Sequence, residues 1–247
     1  MTETIDPEGP VPENDLERIS EAVSAAPAPP LGASLHHRAE EALRGLWASL
    51  FYSEEAAEAP ARCTLVCSAD RQEGASTIAC GLAMVGSEPR AAERVALVDF
   101  NLRNPAIHRL LRLPQSPGIG EIIAGGAEPA SVANRVNDSL DVFTAGEVEG
   151  RILEMLRSNR VREFLLDGLS RQYGYVIIDA AAVNQYPDAQ ALARTIKRAV
   201  LVARTGDTPR EAVAQARKSL ESTGASLLGV VLNARTYPIP RSLYRRI

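Results

Sequence analysis

The chain has few of the residues that build disulfide or metal frameworks: three cysteines and three histidines in 247 residues. Cys63, Cys67 and Cys80 form an odd set inside apolar segments, a pattern of buried free thiols in a reducing compartment. Cys63 and Cys67 resemble half of a zinc site, but His36, His37 and His108 are not spaced to complete it, which argues against zinc. Long apolar runs are missing too, none approaching the roughly 20 residues that span a bilayer. The opening MTETIDPEGPVPEN is acidic and proline-bearing, unlike the basic-then-apolar order of a secretory signal. A cytoplasmic protein is expected. Charge of one sign is also lacking: a net of -4 supplies no general attraction for nucleic acid, and none is expected as a partner.

What is present is an alternation of strand and helix signals. Residues 1–35 carry Pro, Ala, Ser and Glu with little to bury, including Ala26-Pro27-Ala28-Pro29-Pro30, and read as a disordered arm. From Ala39 to Phe51 the residues Ala42, Leu43, Leu46, Trp47 and Leu50 recur at helical spacing, opposite Glu40, Glu41 and Arg44. Short apolar runs at Cys63–Cys67, Arg94–Asp99, Tyr175–Asp179 and Ala199–Arg204 have the character of buried parallel strands. Helical patterns at Ser76–Val85, Arg151–Leu169, Pro187–Lys197 and Thr208–Thr223 separate them, and a last strand is expected over Ser226–Asn233. The order predicts a doubly wound α/β domain over 36–234, its sheet mainly parallel, with a short tail over 235–247. In such sheets ligands collect at the carboxyl ends of the strands, the edge expected to hold Ser68, Asp99, Asp179 and Arg204.

Between the first of these strands and the helix after it lies Ser68-Ala69-Asp70-Arg71-Gln72-Glu73-Gly74-Ala75-Ser76-Thr77. This is the position of a phosphate loop, whose pattern G-x-x-x-x-G-K-[ST] uses backbone N–H groups and a lysine on phosphate and a hydroxyl on Mg²⁺. Gly74, Ser76 and Thr77 remain, but Ala75 stands where the ammonium belongs. Asp99 and Asp179 each end a strand on the same edge, so with Ser76 they form a candidate Mg²⁺ set and candidate catalytic carboxylates. An aspartate after a buried strand also serves as a turn starter or helix cap. Arg71 and Arg103 are the candidate phosphate-binding cations, and Gly74 with the helix N-terminus offers the backbone.

These residues carry a resemblance. From Glu41 to Asn233 the chain resembles the bacterial tyrosine kinase (BY-kinase) family, relatives of the partitioning ATPases with the deviant Walker A motif. The family loop, like S-x-x-P-G-E-G-K-S-T, matches residues 68–77. Its second motif, like V-D-x-D-L-R-x-P, matches Val98-Asp99-Phe100-Asn101-Leu102-Arg103-Asn104-Pro105, with His108 and Pro117-Gly118-Ile119-Gly120 beyond. Its Walker B stretch, like I-I-D-T-P-P, matches Ile177-Ile178-Asp179-Ala180-Ala181-Ala182, with Asp188 further on. Glu41, Arg44 and Trp47 fall on the family's E-x-x-R-x-x-R assembly helix, Trp47 replacing the last arginine. Gly229 to Asn233 resembles the strand before the family's tyrosine-rich tail, of which Tyr237 and Tyr244 stand as the candidate phosphoacceptors.

The resemblance implies a P-loop NTPase-like fold and a role in exopolysaccharide synthesis and export. It also implies Mg-ATP or Mg-ADP as cofactor, in this chain bound weakly or not at all, a homo-oligomer, and a membrane polysaccharide co-polymerase as partner, through which the chain would sit at the inner membrane. Four departures bear on chemistry: Ala75 for the loop lysine, Asp70 with no substitute for the second lysine of the partitioning ATPases, Gln72 for a loop glycine, and Asn101 for the second aspartate of its motif. They make a catalytically degenerate, kinase-like partner protein the leading expectation. An active Mg-ATP-dependent tyrosine autokinase or ATPase, using an arginine for the lysine, is the rival, and a partitioning-type positioning ATPase the weaker one. Arg241, Arg245 and Arg246 among Leu243, Tyr244 and Ile247 read as a solvated tail, being short of a polybasic lipid-binding cluster.

Overall fold

The computed structural model describes residues 37–52, 62–88, 93–148 and 150–234. The expected arm over 1–35 and tail over 235–247, with Tyr237 and Tyr244, lie outside the described residues. Seven strands form one sheet: β1 (Arg62–Ser68), β2 (Val95–Asp99), β3 (Asn134–Asn137), β4 (Leu140–Phe143), β5 (Tyr175–Asp179), β6 (Arg198–Arg204) and β7 (Ser226–Asn233). Their order is β3-β4-β2-β5-β1-β6-β7. Every pairing is parallel except β3 with β4. All five residues of β2 and of β5 are buried, as helices on both faces require. At the edge, β7 alternates exposed and half-buried residues.

Helix α1 (His37–Phe51) lies on α2 (Ala75–Gly86). Its apolar stripe faces inward, with Leu43, Trp47 and Leu50 buried. The Trp47 ring meets Phe51 and Tyr175 at centroid distances of 4.4 and 4.7 Å. Two glycines permit this approach: a Cβ on Gly86 would lie 2.1 Å from the Trp47 ring, and one on Gly81 would lie 2.6 Å from Leu43. Trp47 is therefore core, 4 % exposed, and the outer face of the expected assembly helix consists of Glu41 and of Arg44, which pairs with Glu40 and Glu88. On the opposite face of the sheet Phe100, Phe143, Phe164, Leu165 and Leu192 form the second half of the core.

The continuous helix expected over 151–169 is instead a chain of short pieces, Ile152–Leu156, Asn159–Arg162, a wider π turn Glu163–Leu169, and Ser170–Gln172. Ser158 breaks it by taking extended backbone angles, φ -70° and ψ 153°, the geometry that serine favours at a helix start. The antiparallel β3–β4 edge carries no apolar alternation in β3. It is held by Asp141, 3 % exposed, which accepts from Arg94, from Arg135 Nε at 2.9 Å and from the Tyr173 hydroxyl at 2.6 Å.

Candidate nucleotide site

The parallel strands deliver Ser68, Asp99 and Asp179 to one edge, where Asp99 and Asp179 are register partners. Ser68 leads into the loop and Gly74 ends it in the left-handed region, φ +88°. A Cβ on Gly74 would lie 2.3 Å from Asn233 Nδ2, which itself donates to the Glu73 carbonyl at 2.9 Å. The buried Glu73 side chain accepts from the Asp70 N–H at 2.9 Å and from the Thr208 hydroxyl. Thr208 in turn accepts from the Arg204 N–H at 2.8 Å. The loop is thus tied to the ends of β6 and β7 by Glu73, Thr208 and Asn233. Motif reading did not single out these three for the site. For Glu73 two signals were present, the glutamate of the resembled loop pattern at this position and a carboxylate three residues after Asp70, the spacing of a reciprocal cap.

Gln72 holds φ +61° where the resembled loop has glycine. A non-glycine side chain costs roughly 1–2 kcal/mol in that region, part of which the lower freedom of the unfolded chain returns. Gln72→Gly is expected to stabilise the protein by about 0.5–1 kcal/mol, a rise of about 2–3 °C in a melting curve. A lower Tm would show that the glutamine side chain makes a compensating contact.

A cavity of about 460 Å³ opens over the loop, lined by Ser68, Arg71 to Thr77, Asn101, Arg103, Ala180 to Ala182 and Tyr186. Arg71, Gly74, Ala75, Ser76, Thr77 and Arg103, the expected nucleotide-binding residues, all border it. Ser76 donates its hydroxyl to Asp179 Oδ2 at 2.6 Å, while Asp179 Oδ1 is buried with no partner among the described residues. Burial and the neighbouring Asp99 push the Asp179 carboxyl well above the usual range. Burial also pushes Asp99 up, to about 6, against three backbone N–H groups that favour its charge. Those donors are Asn101 at 3.1 Å and Ala106 and Ile107 at 3.2 Å each. Asp99 therefore caps the short helix Ile107–Leu111 as well as bordering Asp179. Asn101 turns its carbonyl oxygen to the Asn104 N–H at 3.3 Å, and as an amide it offers no base.

The residues fit a Mg-nucleotide. An all-oxygen donor set of Ser76 and Asp179, with one buried carboxylate oxygen unpaired, suits a hard divalent ion. Among the described residues no group of three or more His, Cys, Asp or Glu converges on a metal, so most of such an ion's shell would come from phosphate and water. The three cysteines are buried and free, and burial raises each thiol's pKa, which keeps them protonated and unreactive. His108 is not among the residues lining the cavity, and burial lowers its pKa. Among the described residues no helix is long and apolar enough to cross a membrane.

Comparison with known proteins agrees with the geometry, although no protein-family model matches the chain. Tyrosine-protein kinase YwqD of Bacillus subtilis is 29 % identical over 172 residues, 69 % of this chain and 71 % of that protein. The crystal structure of the chimerical protein CapA2B2 superposes with a TM-score of 0.74 and 26 % identity, over 89 % of this chain and 91 % of that one. The kinase domain of the Escherichia coli tyrosine kinase ETK gives 0.73 and 26 %, over 82 % and 79 %. The fold, the loop and both strand-end aspartates lie where the motifs required them, and in sequence and in fold the chain is similar to bacterial tyrosine kinases.

Proposed function

We propose that this chain is a catalytically degenerate bacterial tyrosine kinase that serves exopolysaccharide synthesis and export as the cytoplasmic partner or regulator of a membrane polysaccharide co-polymerase. Nucleotide would be bound by the loop without efficient transfer of phosphate. One observation carries this reading: the cavity keeps the loop backbone and the Ser76–Asp179 pair, while Ala75 contributes a methyl and Asn101 an amide where transfer needs a cation and a base. Mg²⁺ would be held by Ser76 and Asp179, with Asp99 beside them, and would neutralise phosphate charge. The protein's own residues would orient the polyphosphate along Gly74–Thr77 at the amino end of α2.

A cation aimed at phosphoryl oxygens in a water-poor site is worth several kcal/mol to the transition state, and a positioned base contributes about 10²–10⁴-fold. Loss of both leaves binding and removes most turnover. A second reading, an active kinase, is favoured by one feature only, the presence of Arg71 and Arg103 at the cavity wall.

The test is binding to the cytoplasmic segment of a membrane polysaccharide co-polymerase from the same organism. The expected result is an affinity that changes less than about threefold between MgATP and no nucleotide. Binding that requires MgATP, or that disappears as the chain phosphorylates itself, would contradict the partner role and support the active kinase.

A further inference from the structure

The two cations of the cavity are not equivalent. Arg103 donates to Asp188 through Nε at 2.8 Å and Nη2 at 3.2 Å. Asp188 is 1 % exposed, so Arg103 is committed to a fixed buried counter-charge that also raises its pKa. Arg71 donates Nη2 to the neutral phenol oxygen of Tyr186 at 3.0 Å. Among the described residues no carboxylate forms an ion pair with Arg71.

Tyr186 is placed to hold it. The backbone N–H groups of Gln185 and Tyr186 both return to the Ala182 carbonyl, at 3.2 and 3.1 Å, and Asn184 Nδ2 anchors the turn on the Ala212 carbonyl at 3.0 Å. The Arg103 and Arg71 guanidinium carbons lie 4.8 and 5.7 Å from the Tyr186 ring centroid. The ring thus lies beneath a neutralised guanidinium and an un-neutralised one, both at the wall of the cavity that Gly74 and Ser76 line. A guanidinium with unused N–H donors matches phosphate oxygens in pairs.

We propose that Arg71, held over the cavity by Tyr186 as a positioning residue, is the anion-binding cation of this site, standing in for the missing loop lysine toward the polyphosphate of a nucleoside di- or triphosphate. The inference rests on the reading of the cavity as a nucleotide site. Arg71 approaches from the start of the loop, whereas a lysine at 75 would approach from the end. The polyphosphate is therefore bound from a different side, which serves affinity without restoring the transfer geometry.

The test is calorimetric titration of the full chain with MgATP and MgADP, native and as Arg71→Gln, Tyr186→Phe and the double variant Arg71→Gln/Ala75→Lys. Arg71 is exposed, so its replacement should leave the melting curve unchanged. Arg71→Gln is expected to weaken both nucleotides about tenfold or more. Tyr186→Phe removes only the hydroxyl tether and should weaken them about two- to fivefold. Lysine at 75 should recover the affinity lost with Arg71. If Arg71→Gln binds as native does, the inference is overturned while the nucleotide reading stands. If native and Arg71→Gln show no binding and Arg71→Gln/Ala75→Lys does bind, Arg71 supplies no useful cation and the inference again fails. If none of the four proteins binds, both fall.

Discussion

Asp179→Asn is expected to stabilise the ligand-free protein at pH 8, by about 2 kcal/mol in a metal-chelating buffer, a rise of about 4–8 °C in Tm. Asp179 and Asp99 are adjacent, fully buried carboxyls, and one oxygen of Asp179 has no hydrogen-bond donor among the described residues. Both pKa values are raised by burial, Asp99 to about 6, so over the window above the ordinary carboxyl value of about 3.9 the folded state binds more protons than the unfolded one. Stability then falls as pH rises through that window, the reverse of the behaviour of a salt-bridged aspartate. Below about pH 4 both states are protonated and the penalty vanishes. An amide at 179 can still accept the Ser76 hydroxyl and removes the like charge beside Asp99. The variant should therefore lose much of the native decline between pH 5 and pH 8. A variant less stable than native at pH 8 would mean that the charge of Asp179 is met by a group outside the described residues. That such a carboxylate persists is itself informative, because unpaired buried charge is retained at ligand sites at the expense of stability.

Much of the architecture was legible because its signals are local. The runs ending in Asp99 and Asp179 are buried along their whole length and read as parallel strands without knowledge of their neighbours. The β3–β4 pair was not legible, since Asn134-Arg135-Val136-Asn137 shows no apolar alternation and is held by charge around Asp141. The interruption at Ser158 was hidden by the helical periodicity on either side of it. At the site, the loop, its missing lysine and both aspartates followed from spacing. The clasp formed by Glu73, Thr208 and Asn233, and the Tyr186 support for Arg71, join residues more than 100 positions apart. Pairings of that kind depend on sheet order, which motif spacing does not encode. Trp47 was legible from its helical spacing with Leu43 and Leu50, and its packing against Gly86 and Tyr175 places it in the core rather than at a subunit contact.

The largest effect on rate is expected from restoring the two missing chemical groups. Ala75 and Asn101 both border the cavity, Ala75 at the edge of the core, so a lysine and an aspartate at these positions are within reach of it. A preorganised cation contributes about 10²–10³-fold in rate, and a base a further 10²–10⁴-fold, with neither fully realised unless the other is present. The direct measurement is phosphotyrosine formation at Tyr237 and Tyr244 with MgATP, using full-length protein made in a host without tyrosine kinases, native beside Ala75→Lys/Asn101→Asp. The account predicts no rate above background for the native chain and a gain of at least about 10²-fold for the double variant. A native rate within tenfold of the double variant would contradict it, and would make this chain an active kinase that works without a loop lysine.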